Sequence, residues 1–170
     1  ELLNRLPRSA SQTLGAGFGR LAWRLLSRER RNIDRHLSLA FGPTLSVDER
    51  TAIGRNFFIN SGKNLADFIR FRDHFKNELA PLVTIEGLNH YHDAFKAGRG
   101  VIGVTGHIGH WEMLAARLAM EGYPVAVIAR EMYDPRLDKL LVGTREALGV
   151  RNVPTTASPR VLLEWLRNNG

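Results

Sequence analysis

The chain has 170 residues, of which 44% are hydrophobic and 24% charged, a composition that argues against wholesale disorder and suits one domain with its own core. It contains no cysteine, which excludes a disulfide framework and a thiolate metal site, and no apolar run approaches the ~18 residues that a bilayer span needs. The net charge of +7 comes from the first part, because residues 1–72 hold 13 basic and 6 acidic residues whereas residues 73–170 hold 11 of each.

The first predicted helix carries an apolar stripe beside a basic one. The apolar residues recur at helical spacing: Leu14, Phe18, Leu21 and Leu25. The basic stripe contains Arg20, Arg24, Arg28, Arg31 and Arg35. Such a face is typical of a helix lying in a headgroup layer, so we predict that Arg20, Arg24 and Arg28 bind a membrane surface. The alternative is a helix that packs in the core and has a solvated rim.

A long second helix is predicted to begin at a capping box. Ser46 and Glu49 have the Ser-x-x-Glu spacing of that motif, and the helix should run to about Arg72. Its predicted core face consists of Ile53, Phe57, Leu65, Phe68 and Ile69. Contact of this stripe with a lipid chain is the alternative.

From residue 82 onward, strand and helix patterns alternate. The predicted strands are 83–85, 101–104, 125–128 and 152–153, and the predicted helices are 88–96, 110–120, 135–148 and 159–167. This order indicates a mostly parallel sheet flanked by helices. The predicted fold class is therefore α/β, with a helical amino-terminal region before the sheet.

The segment 100–112 is where we expect the chemistry. Val101, Ile102 and Val104 are β-branched and bounded by glycines, which indicates a short buried strand. The following helix should pack on it through Trp111, Leu114, Ala115 and Leu118. The intervening turn, residues 105–110, would lie at the carboxyl ends of the strands, where ligands bind in open α/β sheets.

His107 and Glu112 in this segment have the residue types of a general base and its orienting carboxylate. On one continuous helix they would point apart, but Gly109 allows the backbone to reverse so that Glu112 reaches back to the imidazole. The carboxylate would then stabilise the imidazolium and leave Nε2 as the base. No protein nucleophile accompanies the pair, so the acceptor molecule would supply the hydroxyl.

Other interpretations of these residues remain open. His107 could satisfy a turn, and Glu112 could be a favourable acid at a helix amino terminus. A metal site made by His107, His110 and Glu112 lacks the His-Glu-x-x-His spacing. The glycines do not form a dinucleotide fingerprint, and no nucleic-acid motif accompanies the arginines.

Arginines near the predicted sheet are candidates for binding an anionic substrate. Arg130 follows a predicted strand and could hold a phosphate in two hydrogen bonds, or could instead pair with Glu131 or Asp134. Arg145 and Arg136 are further candidates, with a surface charge on a helix as the alternative for each.

The motif Gly-His-Ile-Gly-His-Trp-Glu at 106–112, followed by Pro-Val-Ala-Val-Ile-Ala-Arg at 124–130, resembles the bacterial lipid A biosynthesis lauroyl/myristoyl acyltransferases. These belong to the glycerolipid acyltransferase superfamily with its His-x4-Asp/Glu signature. The similarity extends to residues 87–88, 98–100, 134–138, 145–149 and 31–41. This sequence has His110 and His36 at two positions where the family commonly has asparagine. The family continues into further strand-and-loop blocks, so we expect this chain to be truncated at its carboxyl end.

The resemblance implies an acyltransferase that moves a fatty acyl group from an acyl carrier protein thioester to a hydroxyl of a lipid A precursor. It implies His107 and Glu112 as catalytic residues, substrate contacts by Arg130, Gly109, His110 and Arg145, and no metal or organic cofactor. We predict a single acyltransferase-like domain over 1–170, with a helical, basic, membrane-facing part at 1–80 and an α/β catalytic part at 81–170. It would lie at the cytoplasmic face of the bacterial inner membrane, peripherally or through an anchor absent from this chain. The alternatives are another glycolipid acceptor, or a non-catalytic membrane-surface module that retains the fold.

Overall fold

A computed structural model describes residues 2–168 of the chain. Its helices are α1 (Leu2–Arg5), α2 (Arg8–Leu25), α3 (Ser27–Phe41), α4 (Val47–His74), α5 (Leu88–Lys96), α6 (Trp111–Met120), α7 (Pro135–Ala147) and α8 (Pro159–Arg167). Its strands are β1 (Val125–Ala129) and β2 (Val150–Pro154). The chain divides into two compact units, an amino-terminal unit (Glu1–Asp73) and a carboxyl-terminal unit (His74–Gly170). The predicted division was at residue 80, and one domain over 1–170 stays a prediction.

The amino-terminal unit is built on an antiparallel contact between α2 and α4, made by small residues. A Cβ added to Gly15 would lie 2.5 Å from the carbonyl oxygen of Gly62, and one added to Gly19 would overlap the carbonyl oxygen of Phe58. Only glycine lets two helix backbones approach so closely. The glycines that weaken α2 by propensity are therefore what allow it to pack.

The apolar stripe predicted as the core face of α4 is largely exposed, so that prediction is wrong, and the stripe on α2 is exposed as well, which contradicts its core-packing alternative. The buried face of α4 contains Gly54, Phe58, Gly62 and Ala66, one residue along from the predicted stripe, whereas Phe68 is half-buried. When two helices pack antiparallel, the residues that come one position before the contact residues of each helix face the same side of the helix pair. The exposed residues thus form one surface, here called the apolar flank: Leu14, Phe18, Leu21, Leu25, Ile53, Phe57, Leu65 and Ile69.

Hydrogen bonds to two buried charged side chains of α4 hold the first residues of the chain in place. Arg70 is 0% exposed, and its Nη1 donates to the carbonyl oxygens of Leu3 and Leu6, each at 2.6 Å. Arg8 donates from Nη2 to Oδ2 of the buried Asp67 at 2.8 Å. These bonds satisfy polar groups that would otherwise destabilise the helix contact when they are buried.

The helix boundaries follow the local signals in the sequence. The capping box is confirmed, because the Ser46 backbone N–H donates to Glu49 Oε2 at 2.7 Å and the Glu49 N–H donates to Ser46 Oγ at 3.2 Å. The backbone N–H of Ser46, followed by its hydroxyl, which also donates to Glu49 Oε2, lowers the pKa of the Glu49 carboxyl. Before this box, one turn of 3₁₀ helix at Gly42–Thr44 separates α3 from α4.

The carboxyl-terminal unit contains a parallel β-α-β arrangement, as predicted. β1 pairs with β2 in parallel, with Val125 opposite Val150 and Ala129 opposite Pro154, and α7 forms the crossover between them. The α/β class with a helical region before the strands is thereby confirmed. The core of this unit includes Phe75, Leu79, Ala116, Val150 and Val153.

Two predicted strands, 83–85 and 101–104, are wrong for the described residues, because neither segment has strand structure. Ile102 and Val104 are 76% and 94% exposed, so the apolar run predicted as a buried strand lies in solvent. A β-branched run becomes a strand only when a neighbouring strand accepts and donates its backbone hydrogen bonds. Helix α6, which was predicted to pack on this strand, buries a different face from the predicted one. Its buried residue is Ala116, whereas Trp111 and Leu114 are each 40% exposed.

Candidate active site

The turn at 105–110 presents His107 to solvent. It has no regular secondary structure, and within it the Ile108 N–H donates to the carbonyl oxygen of Gly106 at 2.9 Å. Gly109 has φ of +60°, a conformation that costs other residues a clash with Cβ, so this position of the turn favours glycine. His110 is the residue before α6, and its carbonyl oxygen accepts from the Met113 N–H at 3.0 Å.

His107 contacts the indole ring that follows it. Its ring centroid lies 4.6 Å from that of Trp111, with the planes inclined by 60°. Within residues 2–168, no hydrogen bond joins His107 to Glu112. The direct hydrogen bond predicted from their spacing is therefore not formed. Trp111 contacts both residues, through its ring to His107 and through its indole N–H to Glu112.

Glu112 is held by Arg145 instead. The Arg145 Nε donates to Glu112 Oε2 at 2.9 Å and Nη2 donates to Oε1 at 2.6 Å, a bidentate ion pair between side chains 9% and 12% exposed. Trp111 Nε1 also donates to Glu112 Oε1, at 3.2 Å. Charge-assisted pairs with this parallel geometry are among the strongest hydrogen-bonded contacts in proteins.

Arg145 is buried, so its interpretation as a surface charge on a helix is wrong. It lies in the last turn of α7, and its Nη1 donates to Asn152 Oδ1, on β2, at 2.6 Å. Neither the contact of Asn152 nor the role of Trp111 was predicted from the sequence. Trp111 could be identified as the neighbour of Glu112, but no local sequence pattern connects Asn152 with Arg145, 7 positions earlier, or with Glu112, 40 positions earlier.

Arg130 lies directly after β1, at the carboxyl end of that strand, as predicted. It is exposed, and among the described residues it forms no ion pair, so the alternative bridge to Glu131 or Asp134 is not made. Asp134 instead pairs with Arg136 at 2.8 Å and accepts the Arg136 backbone N–H. The Arg136 side chain, followed by that backbone hydrogen bond, lowers the pKa of the Asp134 carboxyl.

The three arginines predicted to bind a membrane, Arg20, Arg24 and Arg28, are all exposed in the amino-terminal unit. Arg20 lines a cleft of about 400 Å³ with Arg55 and Asp48, on the side of the α2–α4 pair opposite the apolar flank. Residues 2–28 contain no acidic residue, so every formal charge on the α2 side of the flank is positive.

Neither a metal site nor a membrane-spanning helix is present among residues 2–168. No group of three or more His, Asp or Glu side chains is arranged to hold a metal ion, and His107, His110 and Glu112 form no such group. No helix in this part of the chain combines the length and apolarity needed to cross a bilayer.

Comparison with known proteins adds the family. Phosphatidylinositol mannoside acyltransferase from Mycolicibacterium smegmatis is 28% identical over 117 residues, 62% of this chain and 38% of that protein. The protein of the same name from Mycobacterium tuberculosis (strain CDC 1551 / Oshkosh) is 32% identical over 89 residues, 50% of this chain and 28% of that protein. The chain thus covers well under two thirds of the length of these relatives. The family model described as bacterial lipid A biosynthesis acyltransferase matches residues 1–170, and the chain therefore belongs to that family.

Proposed function

We propose that the chain carries the acyl-transfer site of an enzyme that moves a fatty acyl group from a thioester to a glycolipid hydroxyl. The observation that carries this proposal is the arrangement around His107: an exposed imidazole in a glycine turn, packed on Trp111, which donates to an ion-paired Glu112. Exposure leaves the imidazole accessible to an incoming hydroxyl. Family membership supplies the reaction class to which this arrangement is suited.

In the proposed reaction His107 acts as the general base. Its free ring nitrogen takes the proton of the acceptor hydroxyl while the oxygen attacks the thioester carbonyl carbon, forming a tetrahedral oxyanion. Collapse breaks the carbon–sulfur bond, the thiolate takes the proton from the imidazolium, and an ester and a thiol result. Glu112 would orient His107 through Trp111, and backbone N–H groups of the 105–110 turn would stabilise the oxyanion.

The donor and acceptor are proposals drawn from the family. An acyl carrier protein thioester is the proposed donor, and a lipid A precursor is the proposed acceptor. Arg130 supports an anionic acceptor, because it is exposed at the end of β1 and unpaired among the described residues. A guanidinium in that state is available to bind phosphate in two hydrogen bonds. Gly109 and His110 remain proposed substrate contacts through their place in the turn.

Acyl transfer by variants of the 105–112 segment tests the mechanism. His107→Ala and Glu112→Ala should each lower turnover by about 10²–10⁴-fold, the usual effect of losing a general base or its support. His90→Ala is the matched control, because His90 is an exposed histidine of α5 in the same unit and should leave turnover unchanged. Wild-type turnover in His107→Ala would refute the mechanism.

A second acceptor class is favoured by the named relatives. Both are phosphatidylinositol mannoside acyltransferases, so a mannose hydroxyl of an anionic inositol lipid is an alternative to a lipid A precursor. Competition between the two acceptors in one reaction, with products separated by mass, would identify the preferred one. Transfer to neither acceptor, by this chain or by a version as long as its relatives, would favour the non-catalytic membrane-surface module.

We further propose that the amino-terminal unit docks on the cytoplasmic face of a bacterial inner membrane. The apolar flank supports this, since its eight large side chains are each 36–70% exposed beside an acid-free, arginine-bearing helix. Contiguous exposed apolar surface of this kind marks interaction sites. Arginines near anionic lipid contribute about 1 kcal/mol each and are screened by salt, whereas apolar burial is not.

Vesicle co-sedimentation separates these two contributions. Replacing Arg24 and Arg28 with glutamine should weaken binding to phosphatidylglycerol vesicles far more than to phosphatidylcholine vesicles. Replacing Phe18 and Phe57 with serine should weaken binding to both, and the residual binding at high salt should disappear. Full binding by the double serine variant would exclude the apolar flank as the docking surface.

A further inference from the structure

Helix α3 lies on the surface of the amino-terminal unit and carries the second half of the predicted basic stripe. The chain leaves helical geometry at Leu26, which has φ of −91° and ψ of 72°, so the stripe is divided between α2 and α3. Arg31 and Arg35 therefore belong to a different helix from Arg20 and Arg24. No residue of α3 is fully buried.

The inner face of α3 is formed by its three half-buried residues, Arg30, Ile33 and Leu37. At about 100° per residue, these three lie within about 60° of one another around the helix. The fold uses Arg30, because its Nη1 donates to the carbonyl oxygen of Trp23 at 2.9 Å and its guanidinium lies 5.5 Å from the centre of the Trp23 ring. The opposite face of α3 is thus left to solvent.

That opposite face is basic. Its exposed residues at helical spacing, here called the α3 basic face, are Arg28, Arg31, Arg35 and Leu39. Within residues 2–168, none of these three arginines forms an ion pair or a hydrogen bond through its side chain. Asp34, an acid of the same helix, pairs with Arg50 of α4 at 2.7 Å instead. The charges of the α3 basic face are therefore not neutralised by their own unit.

The arrangement of these charges favours an anionic partner. Like charges three and four residues apart on a helix repel one another and destabilise it. A row of carboxylates at the same spacing on another helix would remove that repulsion. Each guanidinium could then hold a carboxylate in two parallel hydrogen bonds.

The composition of the face favours an acidic protein over a membrane. Every permanently charged basic side chain before Lys63 is an arginine. Protein interfaces are enriched in arginine and depleted in lysine, whereas both attract anionic lipid to about the same extent. Leu39, 78% exposed, is the one large apolar side chain of the α3 basic face, whereas the apolar flank supplies eight.

We propose that the α3 basic face binds an acidic helix of the protein that carries the acyl thioester. This inference rests on the proposed function for the identity of that protein, an acyl carrier protein. Carboxylates of the carrier pair with Arg31 and Arg35, and Leu39 contacts an apolar side chain between them. Arg28 begins α3 and also belongs to the proposed membrane contact, so Arg31 and Arg35 are the residues that test the docking.

Binding of purified acyl carrier protein in its thiol form tests the docking without turnover. Arg31→Glu combined with Arg35→Glu should weaken the affinity, measured by fluorescence anisotropy at low salt, by about 10–100-fold. Wild-type affinity should also fall as salt rises, because exposed charges are screened. The matched control combines Arg72→Glu with Lys139→Glu, two exposed positions on α4 and α7, and should keep wild-type affinity at the same net charge. Equal loss in the control, or wild-type affinity in the Arg31 and Arg35 variant, would overturn the inference.

Two donors that bear the same acyl chain separate the docking from the chemistry. The Arg31 and Arg35 variant should have a KM about 10–100-fold higher for the chain carried by acyl carrier protein, and unchanged kcat and KM for the chain carried by free pantetheine. Equal loss with both donors would overturn the inference. Wild-type turnover of His107→Ala would instead refute the proposed mechanism and leave the binding result standing.

Vesicle binding by the same variant distinguishes a protein partner from a membrane. The Arg31 and Arg35 variant should sediment with phosphatidylglycerol vesicles as fully as the Arg72 and Lys139 control. Loss of vesicle binding together with wild-type affinity for acyl carrier protein would assign the α3 basic face to the membrane and overturn the inference.

Discussion

The contact between α2 and α4 predicts opposite effects for the same substitution at two glycines two residues apart. Gly15 and Gly17 both lie inside α2, so replacing either with alanine improves helix propensity by about 1 kcal/mol. At Gly17 the new methyl group meets nothing within 4 Å. Gly17→Ala should therefore stabilise the protein by about 0.5–1 kcal/mol.

At Gly15 the same methyl group meets a backbone that cannot rotate away. It would lie 2.5 Å from the carbonyl oxygen of Gly62 and 3.0 Å from Cβ of Ala66, whereas carbon atoms pack comfortably at about 3.5–4 Å. Relieving the overlap requires the helices to separate, and overpacking of this kind costs about 1–3 kcal/mol. After the gain in propensity, Gly15→Ala should destabilise the protein by up to about 2 kcal/mol.

Urea unfolding followed by circular dichroism at the helix band measures both free energies. The two alanine variants should differ by roughly 1–3 kcal/mol, equivalent to about 2–12 °C in melting temperature for a chain of this size. Because the substitution and the helix are the same, propensity cancels in the comparison. Equal stabilisation by the two substitutions would mean that α2 and α4 do not meet at Gly15, and the reasoning about the buried face would fail.

Three further predictions concern other parts of the molecule. Arg8→Met should lower the free energy of unfolding by about 3 kcal/mol, because it leaves the buried Asp67 carboxylate without its cation. Asp67→Asn should lower it by less, because the asparagine side chain keeps hydrogen-bonding atoms. Chemical denaturation that ranks the two variants in the opposite order would refute this reasoning. The lowered pKa of Asp134 means that its contribution to stability is present above the unfolded-state pKa and is lost as pH falls through the folded value, so the stability difference between wild type and Asp134→Ala should shrink in acid. Gly109→Val should destabilise the turn by about 1–2 kcal/mol and Gly109→Asn by less, as measured by thermal unfolding, because φ is +60° there; equal effects would contradict that conformation.

The elements that the sequence predicted well are those specified by local chemistry. The helices 88–96 and 159–167 have the predicted bounds, and the capping box of α4 forms as its spacing indicates. Caps, proline and glycine act within a few residues of themselves, so their effect can be read without knowing the fold. The β-α-β order in the second half likewise predicted a parallel pair, because a helical crossover leaves little other choice.

The errors all concern which partner an element meets. The stripe of α4 has the correct period, but hydrophobicity pointed to the wrong face as the buried one, since glycine and alanine packing carries no hydrophobic signal. The run at 101–104 has strand propensity and lacks a strand beside it among the described residues.

The sequence by itself determined the helix boundaries, the basic amino-terminal part and the glycine turn that carries His107, because each depends on residues close together in the chain. Only the tertiary structure decided that Glu112 pairs with Arg145, 33 positions away, and not with His107, five positions away. A carboxylate pairs with the cation that the packed helices and strand bring within hydrogen-bonding distance, and spacing along the chain does not specify that distance.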